Sequence, residues 1–425
     1  MKIKFLENEY WWGGLSEDGL NMPYGANSNM KVDLCRDAVS NQYVSLFVSN
    51  QGRILFREQL YEIVFEHGEI TCPDDIVLQE GYGDLRTAYL TAMRAFFPFD
   101  GDIPDETFFK VPQYNTWIEM HLEQNQEGII NYAKSILDNG MAAGIIMIDE
   151  GWALYNGCFK INQGKFPDLK KMAEQLHEMG FKIMVWVTPM VTCDTHEYRT
   201  LRDKQWLVRE KDGNPAIRGW WDGYSAVMDL TNPEMCAWFE EKLNFLMQEY
   251  GIDGFKFDAG DAYMYRDDDL LYKPMPRGEH MKRFQQLGLK YKLNEFRASY
   301  NMAGRAISSR LADRAHAWDH TGLASVIPNT LAQGITGYVY NCPDMIGGGD
   351  SVSFETQMDQ LDQELIVQYS QACALCAMMQ FSLAPWRVLR AENFGYVLET
   401  AALHTKFGGG GGICGGDNCK TAAGK

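Results

Sequence analysis

No stretch of this 425-residue chain approaches the roughly 18 consecutive apolar residues that a membrane-spanning helix needs. Histidine is scarce, with 8 residues and no HxH or HExxH spacing, so a zinc site built on paired imidazoles is excluded and no metal is expected. Neither a GxSxG elbow nor a GxGxxG turn after a strand is present, which removes the serine-hydrolase and dinucleotide readings and leaves no cofactor to expect. Basic residues number 39 against 57 acidic ones, a net charge of -18 that repels phosphate backbones and anionic lipid. Nucleic acid and membrane surfaces are therefore not expected partners. The 10 cysteines lack the regular spacing of a disulfide framework. Cys373 and Cys376 stand alone as a CxxC in an apolar helical stretch and read as buried free thiols. Met1 to Tyr10 is charged and has no apolar core of a signal peptide, so a cytoplasmic setting is expected.

What is present divides the chain in three. Residues 1–109 carry short β-prone runs, Tyr43 to Val48, Ile54 to Phe56 and Tyr61 to Phe65, separated by turn residues, and predict a small β-sandwich-like domain. Residues 110–407 alternate apolar strands with amphipathic helices. Gly144 to Ile148 runs into Asp149, Phe181 to Val187 closes at Thr188-Pro189, and Asp253-Gly254-Phe255-Lys256-Phe257 ends on Asp258. Between the last two, Asn232-Pro233 starts a helix that Gly251 stops. With Tyr114 to Ile118, Ala306 to Ser309, Ala315 to Trp318, Ile335 to Tyr340 and Gln380 to Leu383, eight strand candidates result. Eight βα units predict an α/β fold, a (β/α)8 TIM barrel, with a doubly wound open sheet as the alternative. Residues 408–425 open with five glycines and lack the strand and helix of a phosphate loop; they predict a disordered, truncated or altered end.

A barrel's working residues sit at the carboxyl ends of its strands. Asp149, Asp258, Asp319 and Asp344 fall there, and carboxylates so placed are costly to bury without a partner or a task. Two carboxylates flanking a glycosidic bond can cleave it, one attacking the anomeric carbon and one exchanging a proton with the leaving oxygen. Lys256 lies two residues before Asp258, so both project to the same side of the strand and the ammonium would keep Asp258 ionised. Taken singly, each of these residues fits a structural ion pair or helix cap as well.

The segment Gly254-Phe255-Lys256-Phe257-Asp258-Ala259-Gly260-Asp261 resembles the nucleophile segment of glycoside hydrolase family 31. Trp220-Trp221-Asp222-Gly223, Ile148-Asp149-Glu150-Gly151-Trp152, Lys165-Phe166-Pro167-Asp168 and Asp344-Met345-Ile346-Gly347-Gly348 resemble further family elements, in order from about Tyr114 to Arg387. The resemblance implies a retaining, exo-acting, cofactor-free α-glycosidase acting on a carbohydrate. It implies Asp258 as nucleophile, Asp149 on sugar hydroxyls, Trp186 and Trp221 as walls of the sugar site, and Lys256 and Arg310 against sugar or nucleophile. Asp319, after Ala317-Trp318, takes the acid/base role, with Asp313 as the alternative; Arg305 competes with Arg310. The Arg-x-His element of family α-glucosidases is missing from Phe381 to Arg387, and the Trp-Trp and Phe-Lys-Phe-Asp segments are similar to an α-galactosidase-like branch. An α-galactoside is thus the expected substrate, with α-glucoside and α-xyloside as rivals. An inactive sugar-binding barrel and a transglycosylase are the competing functions. Family members carry β-domains after the barrel, for which no room remains past Leu403, and marginal stability is expected of the chain.

Overall fold

The computed structural model describes residues 1–35 and 41–408. The glycine-rich end from 409 onward, where a disordered or altered terminus is expected, lies outside the described residues. Near the start, two antiparallel sheets form. One runs Lys2–Lys4, Glu69–Thr71, Glu62–Glu66, Met30–Asp33; the other runs Tyr24–Gly25, Tyr10–Leu15, Gln42–Ser49, Ile54–Phe56, Val77–Gln79. In Glu62–Glu66 the buried Ile63 and Phe65 alternate with less buried neighbours, the period of a strand with one face covered. Those two side chains join Trp11, Val32, Phe47, Leu55 and Ile70 in one buried cluster.

Eight short parallel strands follow: β1 (Gln113–Asn115), β2 (Ile145–Ile148), β3 (Lys182–Val187), β4 (Gly254–Phe257), β5 (Asn294–Phe296), β6 (Ser309–Arg310), β7 (Asn341–Cys342) and β8 (Gln380–Phe381). Each pairs with the next from β1 to β7, and β8 returns to pair with β1. The β7–β8 seam is thin. A bridge between Met345 and Gln380 and the Ile346 N–H donating to the Gln380 carbonyl at 2.8 Å close it. Helices α1 (Gln126–Asp138), α2 (Leu169–Glu178), α3 (Pro233–Tyr250), α4 (Arg277–Gly288), α5 (Leu323–Ile335), α6 (Gln363–Ala374) and α7 (Ala391–Gly408) cover the strands. This is the expected barrel.

Helix α3 shows how the sequence sets these units. The Asn232 side chain accepts the Glu234 N–H at 2.9 Å, Pro233 takes the first helical position, and Met235, Phe239, Leu243 and Leu246 bury one face. Gly251 ends it at φ +73°, a conformation glycine adopts without Cβ strain.

Three strand expectations are corrected. Ala315–Trp318 forms no strand: His316 is buried there, hydrogen-bonded to the Gly347 carbonyl and the Asp362 N–H, and holds the segment as a turn. The strand expected at Ile335–Tyr340 starts at Asn341, because α5 runs on to Ile335. Asn294–Phe296, which no apolar run announces, supplies β5. Its Asn294 and Glu295 are fully buried polar residues bonded inside the barrel. Cys373 and Cys376 are buried free thiols. Among the described residues no helix is long and apolar enough to cross a membrane.

Candidate active site

Strand β4 sorts its side chains by alternation. Phe255 and Phe257 turn outward to an aromatic layer, with Tyr291 at 5.1 Å from the Phe255 ring and Phe284 at 5.5 Å from the Phe257 ring. Lys256 and Asp258 therefore point to the opposite side, the barrel interior. Ala259 follows at φ +58°, a strained turn for a residue with a Cβ, and its N–H caps the Asp258 Oδ1 at 2.8 Å.

The Lys256 ammonium joins two strand ends. It lies 2.7 Å from Asp149 Oδ2, after β2, and 3.1 Å from Asp258 Oδ2, and all three side chains are buried. On β3, Trp186 is the register partner of Lys256, and its indole N–H donates to Asp258 Oδ2 at 2.8 Å. Burial alone would raise the Asp258 carboxyl. Lys256, Arg297 and Arg310 outweigh it and hold the group well below the usual carboxylate range, so Asp258 is an anion at neutral pH. For Lys256 the balance is the mirror image: burial favours the neutral amine, but Asp149 and Asp258 win and keep it charged.

A second cluster faces the first. Arg310, at the end of β6, donates through Nη1 to Asp313 Oδ1 at 2.7 Å and to Asp344 Oδ1 at 3.0 Å. Asp344, just past β7, is fully buried at φ +124°, and its Oδ2 accepts the Arg314 N–H at 2.8 Å. Burial pushes its carboxyl up to about 7, Arg310 opposing and Asp313 reinforcing. For Asp313 burial also disfavours charge, but Arg310 and Arg297 prevail and its carboxyl is lowered.

Arg297 links the clusters. It follows β5, places Nη1 3.3 Å from Asp313 Oδ2 and Nε 3.3 Å from Asp261 Oδ2 and 3.8 Å from Asp258 Oδ1, and lies 4.8 Å from the Trp221 ring centre. Gln42 of the antiparallel layer braces both arginine backbones, donating to the carbonyls of Arg297 at 2.7 Å and Arg310 at 2.6 Å. Trp221 sits at the tip of the hairpin Ile217–Trp220/Gly223–Val227 and is 46% exposed, enough for one face to remain open.

Of the expected residues, the structure brings Asp149, Trp186, Lys256, Asp258, Arg310 and Asp344 together, with Trp221 above them. It does not bring Asp319. That carboxylate is exposed and accepts the Thr321 N–H and hydroxyl at 2.9 and 2.6 Å, a local turn whose bonds do not reach the cluster. Asp313, by contrast, lies within the cluster, against Arg310 and Arg297. Arg305 pairs with Asp100 at 3.1 Å, away from these groups, whereas Arg310 lies among them. Arg297 went unforeseen because its strand did. The signal was the repeat itself: strands beginning at 113, 145 and 182 place one at about 290 after Gly254.

Residues 113–387, which supply all of this cluster, match the sequence profile of the glycosyl hydrolases family 31 TIM-barrel domain. The chain belongs to glycosyl hydrolase family 31. It is 30% identical over 332 residues to the myogenesis-regulating glycosidase of Mus musculus, covering 76% of this chain and 45% of that protein. The sulfoquinovosidase of Escherichia coli K12 is 25% identical over 236 residues, 52% of this chain and 34% of that one. Among solved structures, a family 31 dextranase of Flavobacterium johnsoniae complexed with glucose aligns at a TM-score of 0.78 and 16% identity, over 96% of this chain and 54% of that chain. That last likeness concerns the fold alone. The chain spans less than half the length of the curated relatives it matches.

One further carboxyl in this family 31 barrel stands out. Glu150 is 9% exposed and its Oε2 has no hydrogen-bond partner among the described residues. Burial first, then the charges of Asp149, Asp222 and Asp258, push its carboxyl up to about 8. The folded protein thus holds a proton that the unfolded chain has released, so stability falls as pH rises from the unfolded value of about 4.3 toward 8. The slope contributed is at most about 1.4 kcal/mol per pH unit. Urea unfolding at pH 5.5, 6.5 and 7.5 is expected to show this decline and Glu150→Gln to flatten it. An unchanged slope in the variant would place the proton elsewhere.

Proposed function

We propose that this chain is a retaining α-glycosidase, with Asp258 attacking the anomeric carbon and Asp313 exchanging the proton. The observation that carries the reading is the pairing of opposite carboxylates across one arginine, Asp258 and Asp313 on either side of Arg297. Asp258 is ionised, as attack requires, and Trp186, Ala259 and Lys256 fix its oxygens. Asp313, on the loop after β6 with its side chain 33% exposed, can reach a leaving oxygen at the mouth. Arg310 and Arg297 hold Asp313 ionised in the free protein, so it must take up a proton from solvent before passing one to the leaving oxygen. After the aglycone departs, Asp313 takes a proton from water, which releases the sugar from Asp258.

Asp149 and Lys256 are placed to hold sugar hydroxyls, and Trp186 and Trp221 offer apolar faces for the ring. Which sugar is bound is the finer part. The resemblance of Trp220-Trp221 and Phe255-Lys256-Phe257-Asp258 to the α-galactosidase-like branch favours an α-galactoside, with α-glucoside and α-xyloside as rivals. A panel of aryl α-glycosides read by released phenol is the test. With a substrate in hand, Asp313→Ala is expected to lower kcat/KM by about 10²–10⁴, less for an acidic phenol that departs without a proton. Asp319→Ala removes only a turn bond and is expected to leave turnover within about twofold and stability within about 1 kcal/mol. The reverse ranking would return the acid/base role to Asp319.

A further inference from the structure

A cavity of about 280 Å³ opens against Trp186, walled by the loops after β2 and β3 and by Asp222 of the hairpin. Trp186 is shared: its indole N–H holds Asp258 while its ring lines the cavity. Two buried polar atoms of lining residues lack partners among the described residues, Glu150 Oε2 and Thr188 Oγ1, with Thr188 only 3% exposed. Unpaired buried polar groups are costly, and two in one cavity are explained by a ligand that supplies their hydrogen bonds.

The lining fixes the ligand's chemistry. Glu150 and Asp222 are acidic, and no Lys, Arg or His lines the space. Asp222 is itself occupied by the Asn156 amide, and the Tyr155 hydroxyl by Glu197. Trp152, Trp186 and Phe159 supply apolar wall, as a pyranose face needs. The volume lies just below the roughly 300 Å³ at which sites for drug-sized ligands begin, so it suits one ring.

We propose that this cavity is a sugar subsite contiguous with Asp258 that takes an uncharged pyranose and rejects one bearing a carboxylate or sulfonate, with Glu150 and Thr188 meeting its hydroxyls. A carboxyl held neutral near pH 7 both donates to and accepts from a hydroxyl, whereas an anionic substituent would meet the Asp222 carboxyl with no cation from the described residues on the cavity wall to pair it. The subsite deepens the glycosidase reading and rests on it for catalysis, though not for binding.

Binding can be read without turnover. In the full chain carrying Asp258→Asn, calorimetric titration with methyl α-D-galactoside, glucoside and xyloside is compared with methyl α-D-glucuronide. At least one neutral glycoside is expected to bind, and the glucuronide at least tenfold more weakly. Adding Glu150→Ala or Thr188→Val is expected to weaken the neutral ligand by about tenfold, and Glu150→Gln to recover most of the loss. Circular dichroism establishes that each variant folds. Equal affinity for the glucuronide, no binding of any neutral glycoside, or indifference to both substitutions would overturn the subsite. Phenol release by the unmodified chain is measured separately. Sugar binding in the stated order without phenol release would keep the subsite and remove the hydrolase; phenol release without that order would do the opposite.

Discussion

Asp258→Asn is expected to leave a folded protein whose kcat/KM for an aryl α-glycoside falls by about 10⁴-fold or more. The amide keeps the shape of the carboxylate and can still accept the Trp186 indole N–H, which donates at 2.8 Å in the parent. What it loses is the negative charge and the lone pair that would bond to the anomeric carbon. Lys256 keeps its closer partner, Asp149 Oδ2 at 2.7 Å, so no buried ammonium is left unpaired and thermal stability should change little. A second readout tests the covalent step itself. A fluorinated glycoside that slows the second displacement should add one glycosyl unit to the intact parent mass and none to the variant. Turnover within tenfold of the parent would take Asp258 out of the mechanism whatever its surroundings.

The parts of this site that were legible in the sequence are those built on apolar strands. Ile145 to Ile148 and Lys182 to Val187 are buried almost throughout, so their runs announce strands, and Asp149 follows the first directly. Gly254-Phe255-Lys256-Phe257 is equally buried, with the lysine tolerated because two carboxylates meet it. Hydropathy fails where a buried strand is made of polar residues. Asn294 donates to the carbonyls of Tyr291 and Ala306 at 2.7 and 3.2 Å, and Glu295 accepts from Gln380 at 2.7 Å. A strand made of such residues reads as loop, and Arg297 disappeared with it. The opposite error arose at Ala315–Trp318. Its apolar look comes from a turn organised by His316 and by the Trp318 indole N–H on Asp362 at 2.7 Å. Treating it as a strand drew the acid/base expectation to Asp319, six residues past the Asp313 that the structure sets against Arg310 and Arg297. Side-chain hydrogen bonds to distant segments, which no periodicity encodes, decide both cases.

Lys256→Met carries the largest expected effect on stability. The substitution preserves length and burial but strips the cation from between Asp149 and Asp258, whose side chains are 3% and 6% exposed. Removing one member of a buried charge cluster costs about 3–5 kcal/mol, since the remaining charges lose their compensation. Arg297 stays near Asp258 at 3.8 Å, which argues for the lower end of that range. The pH dependence identifies the cause. In the parent, Lys256 is a principal reason the Asp258 carboxyl lies below its usual range, so Asp258 contributes stability that persists down to low pH. Without the ammonium, burial weighs against Arg297 and Arg310 alone, and the folded-state Asp258 carboxyl is expected to rise above its unfolded value. The variant then binds a proton that its unfolded chain releases, so its stability falls as pH rises, and its deficit relative to the parent should be larger at pH 7.5 than at pH 5. The acid limb of kcat/KM should move toward neutrality with it, because the attacking carboxylate is harder to ionise. Adding Asp149→Asn removes one of the stranded charges, so the double variant should be less destabilised than the two single deficits predict. Denaturant unfolding at both pH values measures all of this. A deficit that is the same at pH 5 and 7.5, or additive in the double variant, would mean that Lys256 stabilises by packing rather than by charge.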